Sequence, residues 1–135
     1  MKVIDGKDAI LGRLATLAVK EALGGEEVAI VNCEQIVITG NRRSILEKFE
    51  EKRHRVGSTQ KGPKVARTNE QIVKMAIRGM LPNPRRGGRG REAFKRIKCY
   101  VGVPKEFVES KKILIENKMI HKGIKVKEMS KKWEQ

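Results

Sequence analysis

Aromatic side chains make up only 4% of this chain: Phe49, Phe94, Tyr100, Phe107 and Trp133. Proteins of the RRM and OB type, which bind single-stranded nucleic acids, stack the bases on aromatic rings. A chain with so few rings has little to offer as a stacking platform. Any nucleic-acid contact that it makes is therefore expected to involve mainly phosphate and ribose.

Cysteine and histidine are also scarce, with two of each. Cys33 and Cys99 do not form a CxxC pair, and a zinc site would need more ligands at metal spacing. We therefore expect no metal and no cofactor, and each cysteine is predicted to be a small buried apolar residue in a reducing compartment. No signal peptide follows Met1 and no apolar run reaches membrane length, which predicts a cytoplasmic protein that does not enter a membrane.

Acidic residues are outnumbered by basic ones, 16 to 31, so the formal net charge is +15. A field of this sign attracts polyanions and speeds their encounter. The hydrophobic fraction is 39% of 135 residues, enough for one domain with a real core. The composition therefore indicates a folded basic domain and not merely a disordered basic chain.

The basic residues are concentrated in the stretch from Pro82 to Lys98, PNPRRGGRGREAFKRIK, where Glu92 is the one acid. Its prolines and glycines exclude a regular helix or strand at the front. Arginine pairs bidentately with phosphate, and glycine lets a backbone approach closely. A solvated surface loop usually mixes both signs of charge. The stretch therefore favours nucleic-acid binding over a plain solvated loop.

A second basic run, from Lys52 to Arg67, contains no acid, and two arginines, Arg42 and Arg43, precede the helix expected from Ser44. Together these clusters supply the candidate RNA-binding residues, chosen from charge alone. They are Arg42, Arg43, Lys52, Arg53, Arg55, Lys61, Lys64, Arg67, Arg85, Arg86, Arg89, Arg91, Lys95, Arg96 and Lys98.

Hydrophobic periodicity predicts strands that alternate with helices. Strands are predicted at Val3–Ile4, Val28–Val31, Ile36–Thr39 and Cys99–Val101, and helices at about Leu11–Leu23, from Ser44, from Thr68 to Met80 and from about Arg91. The strand–helix–strand order is typical of a parallel sheet with right-handed crossovers. We therefore predict a single three-layer α/β domain over residues 1–135. Basic extensions are expected at about 52–67 and 82–98, and a basic tail at about 118–135.

Several finer predictions depend on single residues. Capping boxes are predicted at Ser44 and Thr68, and Met80 is expected on the buried face of its helix. The run Ile113–Ile115 is ambiguous between helix and strand. The segment around Ile124 and Val126 alternates with lysines, as an extended segment lying on a surface would.

An enzyme is a weaker hypothesis. The turn after the first strand lacks both GxGxxG and GxxxxGK[ST], which argues against dinucleotide or P-loop binding. Asp5 and Asp8 suit general acid–base catalysis, but such residues more often cap a helix or shape a turn. No helix-turn-helix, zinc-finger or basic-zipper pattern supports DNA binding. No catalytic residue and no small-molecule substrate are therefore predicted.

Several short motifs carry a family resemblance. They are Ile10–Ala15 (ILGRLA), Val31–Glu34 (VNCE), Ile38–Gly40 (ITG), Gly79–Pro82 (GMLP), and Ile97–Gly102 (IKCYVG) after the Gly-Arg-rich turn. In this order, from about residue 3 to 105, they resemble the universal large-subunit ribosomal protein L13 family in its short archaeal-type form. Beyond about Pro104 the match to bacterial members fades.

The resemblance implies a parallel four-stranded sheet with helices on both faces. It also implies a structural, non-catalytic protein of the large ribosomal subunit that binds large-subunit rRNA beside other ribosomal proteins. Two alternatives remain open at this stage. One is an RNA-binding module of a non-ribosomal particle, and the other is a small nucleotide-dependent α/β enzyme.

Overall fold

Short apolar strands and amphipathic helices alternate along the chain in a computed structural model, which describes residues 1–54, 68–83, 88–115 and 123–131. The strands are β1 (Lys2–Asp5), β2 (Val28–Val31), β3 (Val37–Thr39), β4 (Ile97–Cys99), β5 (Lys112–Leu114) and β6 (Gly123–Lys125). The helices are α1 (Leu11–Leu23), α2 (Arg42–His54), α3 (Asn69–Met80), α4 (Arg89–Arg96) and α5 (Val126–Lys131). Within these ranges no helix is long and apolar enough to cross a membrane.

The main sheet has four strands in the order β4-β2-β1-β5. All three neighbouring pairs are parallel, with Ile4 opposite Ile30 and Ile30 opposite Cys99. Parallel neighbours need long crossover connections, and these connections contain the helices. The predicted α/β fold, with a four-stranded parallel sheet flanked by helices, is confirmed.

The core lies on both sides of β2, whose four residues are all buried. Ile4 and Ile30 face the larger cluster with the helices, whereas Val3 and Val31 face a smaller cluster that contains Phe107. This alternation follows from the two-residue period of a strand. A central parallel strand that is covered on both faces must be apolar throughout, which the sequence VAIV satisfies.

Helix α1 occupies the residues predicted for it and buries Leu14, Ala15, Ala18 and Ala22. Three of these four residues are alanines, whose small side chains let the helix approach its neighbours closely. The spacing i, i+1, i+4, i+8 forms the apolar stripe of an amphipathic helix. The helix therefore packs firmly on the core without large side chains.

The third predicted strand forms as β3, but it does not join the main sheet. It pairs antiparallel with β6 in a separate two-stranded sheet, with Ile38 opposite Ile124. The prediction that Ile124 and Val126 form one extended surface segment is half wrong. Ile124 lies in β6 and Val126 begins α5, and their side chains are 1% and 0% exposed. Both belong to the larger core cluster, because β6 pairs with β3 and α5 packs against α3.

Two boundaries near the basic stretch also differ from prediction. The strand expected at Cys99–Val101 runs from Ile97 to Cys99, and α4 begins at Arg89 and not near Arg91. Ile97 has extended dihedral angles and pairs with Val28, so the strand starts where its apolar side chain enters the core. The ambiguous run near Ile113 becomes β5, which pairs with β1.

The two predicted helix caps have different outcomes. Thr68 caps α3, since its hydroxyl accepts a hydrogen bond from the Gln71 amide at 3.4 Å. Ser44 does not cap α2. The Asn41 side chain instead accepts a bond from the Arg43 amide at 3.0 Å, because α2 begins two residues earlier than predicted. Asparagine is as good an N-cap residue as serine.

The end of α3 also differs from the prediction. Met80 is 47% exposed rather than buried, and the next residue, Leu81, is 7% exposed and enters the core. Leu81 has an extended conformation, as a residue before proline prefers, so Pro82 ends the helix as expected.

Helix α4 is held in place at both ends. At its start, a Cβ atom built on Gly90 would lie 1.9 Å from the carbonyl oxygen of Pro82. At its end, the Arg96 guanidinium donates a hydrogen bond to the Ala22 carbonyl in the last turn of α1, at 3.0 Å. Only glycine fits the first contact. The second adds a charged donor to a helix-terminal carbonyl that also accepts a hydrogen bond from the Gly25 amide at 3.1 Å.

We predict that Gly90→Ala destabilises the protein by about 2–4 kcal/mol, because the new methyl group meets backbone atoms that cannot move independently. Urea denaturation followed by circular dichroism measures the change. Gly79→Ala is the matched control, since a Cβ there has no heavy atom within 4 Å. That variant should be neutral or more stable by up to about 1 kcal/mol. Equal stability of the two variants would contradict the close contact with Pro82.

We predict that Arg96→Met lowers the free energy of unfolding by about 1–2 kcal/mol, because the Ala22 carbonyl loses a charged donor. Lys95→Met on the exposed side of the same helix should change it by less than about 0.5 kcal/mol. The same denaturation experiment compares the two. A smaller effect of Arg96→Met than of Lys95→Met would show that the Arg96 hydrogen bond has no structural role.

Candidate nucleic-acid interface

Helix α4 separates its apolar and basic residues onto different sides. Ala93 is buried and Phe94 is half-buried against the core, whereas Arg89, Arg91 and Lys95 are exposed. Residues 91 and 95 are one turn apart, so their side chains share a face of the helix. The docked side therefore fixes the backbone from which three cations extend into solvent.

The spacing of Arg91, Lys95 and Lys98 (i, i+4, i+7) predicts that all three lie on one side of a single helix. The helix ends at Arg96, however, and Lys98 lies on β4. Its side chain is nevertheless exposed. Because β4 follows α4 without an intervening loop, the exposed cations of both elements belong to one continuous basic segment, Arg89–Lys98.

Few negative charges balance this segment. Glu92 is its one acid, and the Glu92 carboxylate lies 3.9 Å from the Arg96 guanidinium. Within the described part of the chain, Arg89, Arg91, Lys95 and Lys98 form no ion pair. Four exposed cations in ten residues repel one another, so a polyanion placed against them would be stabilised electrostatically.

Arg96 differs from the other predicted contacts. Its side chain is 33% exposed, and its guanidinium contacts both the Ala22 carbonyl and Glu92. These contacts direct it toward α1 and its own helix. Charge alone could not show that Arg96 has a structural role whereas its neighbours are exposed, because this difference depends on how α4 packs on α1.

A groove of about 520 Å³ lies beside the basic segment, between α3 and β4. Two lysines, Lys74 and Lys98, and one acid, Glu70, line it together with Phe94, Cys99 and Tyr100. Lys74 was not among the predicted residues. A signal was available in the sequence, since Lys74 and Arg78 are four residues apart on one helix, but the charge clusters elsewhere were denser.

The aromatic rings near this groove pack within the protein. Tyr100 and Phe107 form a tilted pair with ring centroids 5.5 Å apart. The Lys74 ammonium lies 4.8 Å from the centroid of the Phe94 ring, a distance typical of cation–π contacts. Because these rings have partners inside the domain, the surface presents cations to a ligand more than it presents stacking platforms.

Helix α2 carries a different kind of basic surface. Arg42 lies 3.8 Å from Glu128 of α5, and the Arg43 Nε atom lies 3.1 Å from Glu47 one turn along. Lys52 is exposed and borders a cleft of about 560 Å³ whose lining is mostly apolar. Arg42 and Arg43 therefore already have carboxylate partners, unlike the exposed cations of α4.

The remaining candidates are not part of the described surface. The backbone of Arg53 lies in α2, but its side chain is outside the described residues, and six other candidates lie wholly outside them. These six are Arg55, Lys61, Lys64, Arg67, Arg85 and Arg86.

The two aspartates that suited acid–base catalysis shape a turn. The Asp5 carboxylate accepts hydrogen bonds from the Lys7 amide at 3.0 Å and from the Asn32 side chain at 2.9 Å. Asp8 has a positive φ of 55° and lies 3.6 Å from the Lys125 ammonium. Neither caps α1, whose N-cap position is occupied by Ile10. The geometry therefore favours the turn hypothesis.

Comparison with known proteins identifies the family. The profile of the family described as ribosomal protein L13 matches residues 1–106. The large ribosomal subunit protein uL13 of Methanocaldococcus jannaschii is 47% identical over 116 residues, which cover 84% of this chain and 83% of the relative. The uL13 protein of Methanosarcina barkeri is 47% identical over 116 residues, 85% of this chain and 81% of the relative. That of Archaeoglobus fulgidus is 41% identical over 120 residues, 89% and 75% of the two chains.

These matches confirm the resemblance seen in the sequence motifs, including its archaeal character. The family consists of structural ribosomal proteins, so the prediction that the chain is not an enzyme is also confirmed. The profile match over residues 1–106 covers β1 to β4, α1 to α4 and the basic segment of α4 and β4. By profile and by identity, this chain belongs to the ribosomal protein L13 family.

Proposed function

We propose that this protein is a structural constituent of the large ribosomal subunit in the cytoplasm, where it binds and stabilises large-subunit rRNA beside other ribosomal proteins. Its relatives are named as large-subunit proteins. The observation that carries the proposal is the set of exposed cations of Arg89–Lys98, which lack carboxylate partners among the described residues.

The binding mechanism depends on how the basic segment Arg89–Lys98 is attached to the rest of the domain. The sheet, α1 and the buried side of α4 form a rigid support, and Gly90 and Arg96 fix the helix on it. The exposed cations are thereby held in place before RNA arrives, which reduces the entropy lost on binding. Each phosphate that they neutralise releases counterions, and this release drives association.

The predicted residues take different roles in this proposal. Arg89, Arg91, Lys95 and Lys98 contact phosphate directly, and Lys74 joins them through the shared groove. Arg96 acts mainly by positioning α4 on α1. A second set of predicted contacts comes from α2 and from outside the described residues. These are Arg42, Arg43, Lys52, Arg53, Arg55, Lys61, Lys64, Arg67, Arg85 and Arg86.

Salt dependence tests phosphate-driven binding. If about 6–10 phosphates are neutralised, affinity for a large-subunit rRNA fragment should fall by about 10³–10⁵ between roughly 50 and 200 mM salt. Filter binding or fluorescence anisotropy over a salt series measures the slope. An affinity that stays constant across this range would refute the mechanism.

A matched pair of triple variants tests the location of the interface. Changing Arg89, Arg91 and Lys95 together to Gln should weaken rRNA binding by at least about 10-fold at low salt and reduce the salt slope by roughly 3. The control changes three other exposed lysines, Lys7, Lys105 and Lys111, to Gln and removes the same charge.

The control should keep the wild-type slope and lose less than about 3-fold in affinity. Equal losses in both variants would mean that net charge, not the α4 surface, determines binding.

Co-sedimentation of the wild-type chain with large subunits at moderate salt separates a ribosomal component from a module of another RNA particle. Failure to co-sediment would count against the ribosomal assignment.

A further inference from the structure

The two cysteines are 66 positions apart in sequence, yet the sheet brings them together. Cys99 ends β4 and lies opposite Ile30 of β2 in the parallel register. Cys33 follows β2, and its thiol lies 3.6 Å from the Ile30 carbonyl oxygen. Both sulfur-bearing residues therefore contact the same residue of the central strand.

Backbone hydrogen bonds lock this arrangement. The Tyr100 amide donates to the Ile30 carbonyl at 2.8 Å, and the Cys33 amide donates to the Tyr100 carbonyl at 3.2 Å. Cys33 therefore lies beside Tyr100, the residue that follows Cys99 in the chain. A disulfide needs Cα atoms about 4.4–6.8 Å apart, and the hydrogen bonds to Ile30 and Tyr100 hold the two cysteines on neighbouring segments.

The environments of the two thiols differ. Cys33 is fully buried, and its pKa is raised by the hydrogen bond to Cys99 and by desolvation. Cys99 is half-buried and lines the groove that also contains Lys74. The pKa of Cys99 is lowered, first by the hydrogen bond from Cys33 and also by the nearby Lys74 ammonium. The thiolate is the reactive form of cysteine, so the accessible Cys99 is the one that meets an oxidant first.

We propose that Cys33 and Cys99 form an oxidation-sensitive pair, which closes an intramolecular disulfide between the end of β2 and β4 when the protein meets a peroxide. This inference does not depend on the proposed ribosomal function. It revises the expectation that each cysteine is only a small apolar residue. That expectation considered only the sequence neighbours of each cysteine, and Cys33 and Cys99 are far apart in sequence.

The chemistry proceeds in two balanced steps. The Cys99 thiolate attacks one oxygen of hydrogen peroxide, the O–O bond breaks, and Cys99 becomes a sulfenic acid while the hydroxide released takes a proton to become water. The Cys33 sulfur then attacks the Cys99 sulfur, the S–O bond breaks, and hydroxide leaves with the Cys33 proton as a second water. The two thiols lose two electrons, and the peroxide gains them.

The test uses the reduced, purified full chain. After treatment with hydrogen peroxide, the protein is denatured and alkylated with N-ethylmaleimide. We expect an intact mass that has lost two hydrogen atoms and gained no alkyl group, and a cross-linked peptide that joins Cys33 to Cys99. Dithiothreitol should restore two alkylatable thiols. The half-time of cross-linking should not depend on protein concentration.

Thermal unfolding provides a second readout on the same wild-type protein. Closing a long loop constrains the unfolded chain, so the oxidised form should melt about 5–15 °C above the reduced form. Single variants define the order of reaction. In Cys33→Ala, Cys99 should be oxidised without forming an intramolecular bond, whereas in Cys99→Ala the buried Cys33 should stay reduced.

The proposal is overturned if both cysteines of the peroxide-treated wild type remain fully alkylatable. It is equally overturned if the only disulfides formed join two chains, or if Cys99 proceeds to sulfinic acid without a cross-link to Cys33. These outcomes are read on the wild-type chain, so they remain decisive even if a variant fails to fold.

Discussion

The parallel pairing of β4 with β2 positions most of the features that matter in this protein. In that register Ile97 enters the core opposite Val28, and the next residue, Lys98, points to solvent. Helix α4 precedes β4 without a loop, so the same pairing holds the helix against α1 and leaves its cations exposed. The pairing also places Cys99 beside Ile30 and therefore beside the Cys33 thiol. One stretch of strand pairing thus positions both the basic surface and the thiol pair.

Helix α4 shows how a strongly basic segment can be folded before it meets a polyanion. The exposed cations repel one another, which destabilises the helix. The helix is stabilised by its buried side, by the close contact of Gly90 with Pro82 and by the Arg96 hydrogen bond to α1. Arg96 and Glu92 belong to this support, since their charges are used within the protein. The remaining cations have no such use among the described contacts. Because the residues that pack on the core differ from those that face solvent, the helix can bind a polyanion without refolding. The entropic cost of binding is therefore low.

How much was predictable from sequence differs from element to element. Helix α1 was predicted to the residue because its alanine-rich stripe and the Gly24–Gly25 stop are local signals. The end of α3 before Pro82 and its Thr68 cap are local signals too. Strand β3 was recognised as a strand but its partner was not, because β6 lies more than 80 residues further along the chain. The short strand β5 was ambiguous because three apolar residues suit a helix or a strand equally well.

The candidate RNA-binding residues were also predictable only where the signal was local in sequence. Charge density pointed to Arg89, Arg91, Lys95 and Lys98, and the structure leaves all four exposed. Charge density also selected Arg96. The role of Arg96 depends on its hydrogen bond to the Ala22 carbonyl, which is 74 positions away, so no local sequence pattern indicates it. Lys74 was missed for a similar reason, since it lines the same groove as Lys98 only when α3 packs beside β4.

The amino-acid sequence by itself determined the class of fold, the excess of positive charge and the family, because periodicity, composition and short motifs are properties of neighbouring residues. Only the tertiary structure decided which cations face outward, which arginine supports a helix, and that two cysteines distant in sequence both lie beside Ile30. Those outcomes depend on strand register and helix packing, which arise from contacts between segments far apart in the chain.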